Sequence, residues 1–212
     1  MDALASAIAA RYPTRFLRIY VRYKIRLDPV YAAVFERLRG SEEPLFDVGC
    51  GIGILALYLR ARGFSAEIRG IDHDERKIAI ARSVQFDAAF EVADARAALD
   101  TRGTVVLLDL LHYFRGEEQS RILASAAATA NTVIIRDAIR DGSWRYRITY
   151  LQEVFSRVVR WLRADRLHFP MREDVIRLFQ GFDVEVLPMY GRTPFNNYFF
   201  VFRRSTGGMT KE

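Results

Sequence analysis

The sequence predicts an α/β fold with a mostly parallel central sheet, helices on both faces and an antiparallel hairpin at its end. Three observations carry that prediction. Short continuous apolar runs alternate with helical patterns from Leu45 to Arg136. A glycine-rich turn separates the first of those runs from the helix that follows it. The last two strand-like segments, Phe182–Met189 and Asn197–Arg203, are joined through Tyr190-Gly191-Arg192-Thr193-Pro194, a link too short for a crossover helix.

Residues 1–43 precede the first strand signal and read as helical. Arg11, Arg15, Arg18, Arg22 and Arg26 recur every three or four positions and form one basic stripe on a helix. Phe16, Leu17, Ile19, Tyr20, Tyr23 and Leu27 occupy much of the remainder. Pro13 suits an early helical turn, and Pro29 after Asp28 starts a second helix through Arg39. Gly40-Ser41-Glu42-Glu43-Pro44 is a stop and a turn.

The first strand is Leu45–Val48, followed by the glycine turn and a helix over about 53–62. Ala66–Ile71 is the second strand and Glu75–Gln85 the second helix of the alternating unit. Phe90–Ala93, Thr104–Asp109 and Thr132–Arg136 supply three more strands, with an alanine-rich helix over Glu117–Ala130 before the last. Residues 144–166 carry a long helical pattern through Ile148, Leu151, Phe155, Val158 and Leu162, and a shorter helix spans about 171–179.

The 212 residues, 50% hydrophobic and 27% charged, suffice for one full hydrophobic core. One cysteine and three histidines exclude a disulfide framework and a thiolate zinc site, and no metal is expected. A reducing, cytoplasmic setting suits that composition. The longest uncharged apolar runs are strand-length, so neither a membrane span nor a secretory leader is expected. Only Lys24, Lys77 and Lys211 among the 32 basic residues are lysines, so arginine carries the net charge of +6. No repeat or linker divides the chain. The expected organisation is an N-terminal helical cover over 1–43, a core over 44–204 with a helical insertion at about 138–170, and a flexible tail over 205–212.

The strongest chemical signal is Phe46-Asp47-Val48-Gly49-Cys50-Gly51-Ile52-Gly53-Ile54-Leu55. A strand running into closely spaced glycines can turn sharply and let backbone approach a ligand with no Cβ in the way. The next strand ends in Gly70-Ile71-Asp72, where a carboxylate can accept from both hydroxyls of a ribose; Asp74 is better placed than Asp72 to cap the helix that follows. A dinucleotide fingerprint would place its third glycine at residue 54, which is Ile54. Asp47, just before the turn, also suits an amino-bearing ligand better than a pyrophosphate. The charge pattern therefore favours a cationic or zwitterionic cofactor.

Asp47-Val48-Gly49-Cys50-Gly51-Ile52-Gly53, Asp72 and Val92-Ala93-Asp94-Ala95 resemble the successive motifs of class I S-adenosylmethionine-dependent methyltransferases. Asp109-Leu110-Leu111-His112-Tyr113 resembles the fourth-strand motif of their small-molecule members. The resemblance implies the Rossmann-like class I fold and S-adenosyl-L-methionine as cofactor. It implies that Gly49, Cys50, Gly51 and Gly53 form the turn against the methionine part, with Asp47 near its amino group. Asp72 would hold the ribose, His73 and Ala95 would flank the adenine, and Asp94 would accept from the adenine amino group. Asp109 and Leu110 would border the methionine and the route to the methyl.

Methyl transfer from a sulfonium rests mainly on holding the nucleophile in line and excluding water. A hydroxyl acceptor still needs a base, for which His112 and, alternatively, Asp137 are the candidates. Residues 12–35 and 140–170 are the available covers over the sheet edge. Their aromatics, Phe16, Tyr20, Tyr23 and Tyr31 in one and Trp144, Tyr146, Tyr150, Phe155 and Trp161 in the other, suit a small aromatic or apolar acceptor, with oxygen preferred. Arg145, Arg147, Arg157, Arg160, Arg163 and Arg166 make the second cover basic like the first, a rim fit for a carboxylated substrate, an acidic carrier protein or an anionic membrane surface.

Tyr12–Tyr31 and Arg136–Trp144 also look similar to methyltransferases that accompany aryl-polyene or xanthomonadin-type pigment synthesis, which implies an aromatic, carrier-bound acyl acceptor. Two alternatives share the cofactor site. A nucleic-acid methyltransferase would suit the arginine content but lacks an Asn-Pro-Pro-Tyr-type or Asp-Pro-Pro-Tyr-type motif after Asp109. A non-catalytic scaffold would keep the cofactor site and close the acceptor pocket.

Overall fold

The structure, a computed structural model, describes residues 2–97, 101–158, 167–190 and 194–205, with the side chains of 152–158 left aside. Trp161, Leu162, Arg160, Arg163, Arg166, Gly191–Thr193 and the tail beyond Ser205 lie outside the described residues, as do the side chains of Phe155, Arg157 and Val158.

Among the described residues, seven strands form one sheet: β1 (Leu45–Val48), β2 (Ile68–Asp72), β3 (Ala89–Val92), β4 (Thr104–Leu108), β5 (Thr132–Ala138), β6 (Phe182–Pro188) and β7 (Asn197–Arg204). Their order is β3-β2-β1-β4-β5-β7-β6. The first five pair in parallel, while β7 runs antiparallel to both β5 and β6. The strand order reverses between β1 and β4, and in such sheets the crevice beyond the carboxyl ends at that point is where ligands bind.

Among the described residues, eight α-helices surround the sheet: α1 (Asp2–Ala10), α2 (Arg15–Leu27), α3 (Val30–Leu38), α4 (Ile54–Ala61), α5 (Glu75–Ser83), α6 (Gly116–Thr129), α7 (Trp144–Val158) and α8 (Arg172–Ile176). The central strands bury both faces, so alternate residues enter different cores. Val106, Ile134, Phe199 and Val201 face one core with α1, α3 and α4; Val105, Val133, Ile135, Phe200 and Phe202 face the other with α6 and α8.

The N-terminal segment departs from the expected cover. Ala5, Ile8, Tyr12, Val34 and Leu38 are buried in the same core as Leu55 and Leu59 of α4, so α1 and α3 are part of the body. Pro13 lies in the irregular link between α1 and α2, where Thr14 Oγ1 caps α2 by accepting from Leu17 N at 3.2 Å. Arg11 leaves the basic stripe for the same reason: it sits before that link, and its guanidinium donates to the carbonyls of Val84 and Gln85.

Strand β5 continues to Ala138, which places Asp137 inside the sheet. Strand β4 stops at Leu108 because Asp109 turns left-handed at φ 54°, a conformation Asp tolerates better than most residues. No helix among the described residues is long and apolar enough to cross a membrane.

The hairpin seals the second core through Phe202, which is fully buried and stacked on Phe179 at 3.8 Å between ring centroids. Phe202→Ala is expected to lower unfolding free energy by about 3–5 kcal/mol in urea titrations, with little change in slope.

Candidate functional site

The carboxyl ends of β1, β2 and β4 open into a cavity of about 990 Å³, at the upper end of the range usual for small-molecule sites. Asp47, Gly49, Cys50, Gly51, Asp72 and His73 line one part of it; Asp109, Leu110 and His112 line another.

The glycine turn is held by its neighbours. Gly49 and Cys50 donate backbone N–H groups to the Ile71 carbonyl at 2.8 and 2.9 Å. Gly49 has φ 81°, and a Cβ there would come within 2.8 Å of Leu110 Cδ1, so both backbone shape and space demand glycine. Gly53 has φ 78° and closes against the Phe90 ring, which keeps it on the outer side of the turn and away from the cavity lining. From the other side, the Tyr12 hydroxyl donates to the Ile52 carbonyl at 3.2 Å.

Asp72 is buried at the end of β2. Its Oδ2 accepts from Gly51 N at 3.0 Å and its Oδ1 from Asp74 N at 2.9 Å, while Lys77 Nζ stands 3.7 Å from Oδ2. Each oxygen keeps a lone pair for a further donor. Asp74 is the helix cap, accepting from Arg76 N. His73 lies on the lining but is largely exposed.

Asp47 is also buried on the cavity wall. Burial, with the nearby Asp72 charge adding to it, pushes its carboxyl up to about 7. A ligand cation placed there would restore the ionised form. Cys50 sits beside both carboxylates, and burial first, then their charges, push its thiol well above the usual range. It is a packing group against Gly70 rather than a nucleophile.

The structure brings His112 and Asp137 together as one unit. Asp137 is fully buried, and its Oδ2 accepts from Leu111 N at 2.7 Å and His112 N at 3.4 Å. Its Oδ1 lies 2.6 Å from His112 Nδ1 and accepts from Ala138 N at 2.8 Å. A carboxylate can only accept, so Nδ1 carries the ring proton and Nε2 is the basic nitrogen. Asp137 does not line the cavity, which removes it as a base touching substrate; its place inside β5 is the reason. The His112 ring stacks on Phe169 at 5.5 Å. His168 stays off the lining and donates its backbone N–H to the His112 carbonyl.

Asp109 and the covers meet in a four-charge cluster. Buried Arg136 donates from Nη1 and Nη2 to Asp28 at 3.1 and 2.9 Å, and from Nη2 to Asp109. Lys24 Nζ lies 3.1 Å from Asp28 and 3.7 Å from Asp109. Burial alone would raise the Asp28 carboxyl, but Arg136 and Lys24 outweigh it and hold it below the ordinary range. Asp109 is thus committed to two cations, and Asp47 is the carboxylate left facing the cavity without one.

Asp94 and Ala95 do not line the cavity. The Asp94 carboxylate turns toward Arg96, which donates from its backbone, Nε and Nη2 and also bridges to Glu118. That arrangement holds Asp94 below the usual carboxylate range. Ala95 is buried in the second core.

Sequence reasoning missed the hairpin's contribution. Met189, Tyr190 and Phe195 from the β6–β7 link line the cavity, whereas α7 supplies only Thr149 among the described residues. Their aromatic character was visible, but nothing local in the chain shows that an edge hairpin folds back over the crevice. The charge cluster had no local signature either, since Arg136 and Asp28 lie 108 positions apart.

A comparison with curated proteins found no match. Residues 45–132 match the family described as "Methyltransferase domain". Among solved structures, magnesium protoporphyrin IX methyltransferase from Synechocystis PCC 6803 with bound SAH is similar at a TM-score of 0.65 and 19% identity, covering 96% of this chain and 93% of that one. The same enzyme with bound SAM gives 0.63 and 18%, over 96% and 90%. The pyocyanin biosynthetic protein PhzM gives 0.66 and 17%, over 95% of this chain and 62% of that one. Residues 45–132 are thus similar to a methyltransferase domain, and the chain has the fold of class I, S-adenosylmethionine-dependent methyltransferases.

Proposed function

We propose that the chain transfers a methyl group from S-adenosylmethionine to a small aromatic or apolar acceptor, with oxygen the preferred nucleophile. One observation carries this reading. A single cavity is lined at one end by the buried carboxylates at the glycine turn and at the other by a histidine backed by a buried aspartate. An open cavity of that size favours catalysis over a closed scaffold.

The residues present fit the cofactor. Asp72 has acceptor capacity left for ribose hydroxyls, and Asp47, raised by burial, gains a partner in an amino group. Gly51, at φ 56° with open space where a Cβ would stand, leaves room for a ligand against the turn. The bound cofactor supplies an electrophilic methyl on a sulfonium. This chain's residues supply the rest: Tyr20, Tyr23 and Tyr31 hold a flat acceptor and exclude water, and His112 Nε2 takes the hydroxyl proton. Asp137 is a positioning residue that fixes the tautomer of His112 and stabilises its imidazolium. An aromatic acyl acceptor, as the pigment-synthesis likeness implies, would suit the aromatic wall.

Three outcomes are expected. Asp72→Ala weakens S-adenosylhomocysteine binding at least about tenfold in calorimetry; unchanged affinity rejects the ribose role. His112→Ala lowers turnover by roughly 10²–10⁴-fold with little change in cofactor affinity, read as S-adenosylhomocysteine released with a panel of phenols. Asp137→Asn does the same and shifts the pH profile.

A further outcome concerns pH. With its folded value raised to about 7, Asp47 lets stability fall as pH rises from its ordinary range through 7, because the unfolded chain ionises first. Asp47→Asn therefore raises the melting temperature of the ligand-free protein at pH 8 but not at pH 4. In the unsubstituted protein, cofactor affinity climbs through pH 7 as Asp47 ionises, and Asp47→Asn flattens that rise.

A further inference from the structure

The outer wall of the cavity is α2, and this helix has two apolar faces. Val21 and Ile25 are buried against the core on one. On the other, Phe16, Ile19, Tyr23 and Leu27 are 59%, 49%, 55% and 51% exposed. At about 100° per residue, these positions and Tyr20 share a sector about 100° wide, centred opposite the buried one. Arg15, Arg18, Arg22 and Arg26 fill the adjoining sector and are all exposed. The helix contains no acidic residue.

Closing a cavity does not require this pattern. A helix with only that task would present polar groups to water, and Ile19 is half exposed without lining the cavity. Large aliphatic and aromatic side chains beside a row of arginines are the composition of a helix that lies in a membrane interface. There the rings sit at headgroup depth, and the guanidinium groups reach lipid phosphates while their stems cover apolar surface.

We propose that α2 docks on an anionic lipid bilayer, with Phe16, Ile19, Tyr23 and Leu27 entering the headgroup–acyl boundary and the four arginines meeting phosphates. An acidic carrier protein would lean chiefly on the arginines. The apolar row running the length of the helix is what favours lipid. Phe16, Tyr20, Tyr23 and Leu27 also line the cavity, so docking would set the cavity mouth against the bilayer. Resting on the methyl-transfer reading above, the acceptor is then an amphiphile resident in the membrane.

The test is flotation of the full chain, without cofactor or acceptor, on vesicles of phosphatidylcholine or of equimolar phosphatidylcholine and phosphatidylglycerol. The chain is expected to float with the anionic vesicles and not with the neutral ones. Ile19→Glu and Arg22→Glu each lower that partition by about tenfold or more, and Ile19→Glu leaves the melting temperature unchanged. Absence of flotation, or flotation that Arg22→Glu reduces and Ile19→Glu does not, overturns the proposal. Capture of an acidic acyl carrier protein without vesicle binding also overturns it and assigns the face to a protein. Flotation needs no methyl transfer, so its failure leaves the proposed activity standing, and loss of cofactor binding leaves the docking surface standing.

Discussion

The buried guanidinium of Arg136 ties the functional parts of this chain together. It projects from β5, holds Asp28 at the α2–α3 corner and Asp109 at the end of β4, and is joined there by Lys24. Taking such a cation out of water is costly unless it is paired, and two carboxylates with two cations make the cluster neutral. The cover therefore cannot lift from the strand ends without leaving a charge stranded. The left-handed turn at Asp109 serves the same end, since it aims that carboxylate at Arg136.

Neutrality in the middle of the cavity sharpens the contrast between its ends. At the glycine turn, burial first and then the nearby Asp72 charge disfavour ionisation of Asp47. At the other end, His112 is surrounded by Phe169 and Tyr113 rings and anchored through Nδ1. In the proposed reaction, one end would take the cationic ligand and the other the proton. The same sheet edge builds both because β1, β2, β4 and β5 end side by side.

Much of this was legible in the chain. The strand–glycine–helix passage around Gly49–Gly53 and the carboxylate at Asp72 are local patterns, dictated by backbone geometry and burial within a few residues. The alternation of short apolar runs with helices likewise fixes a parallel sheet before any contact is known. Asp94 shows where local reading ends: its motif is present, yet Arg96, two residues on, claims the carboxylate. His112 and Asp137 were each visible as proton-handling groups, but as rivals for one role. Only the pairing of β4 with β5 makes them partners, and register between strands is not written in either strand alone. Arg136, Asp28 and the folded-back hairpin are illegible for the same reason.

The Tyr12 hydroxyl on the Ile52 carbonyl has a consequence for anyone recombining this protein with relatives. The link after α1 and the turn it touches behave as one scaffold, so a chimera spliced after residue 28 would replace the α2 wall of the cavity and loosen the glycine turn together. A graft bounded by Thr14 and Asp28, keeping Tyr12 and the partner of Arg136 in place, is the separable module. The α2 wall of the cavity could then be exchanged while the glycine turn keeps its native support.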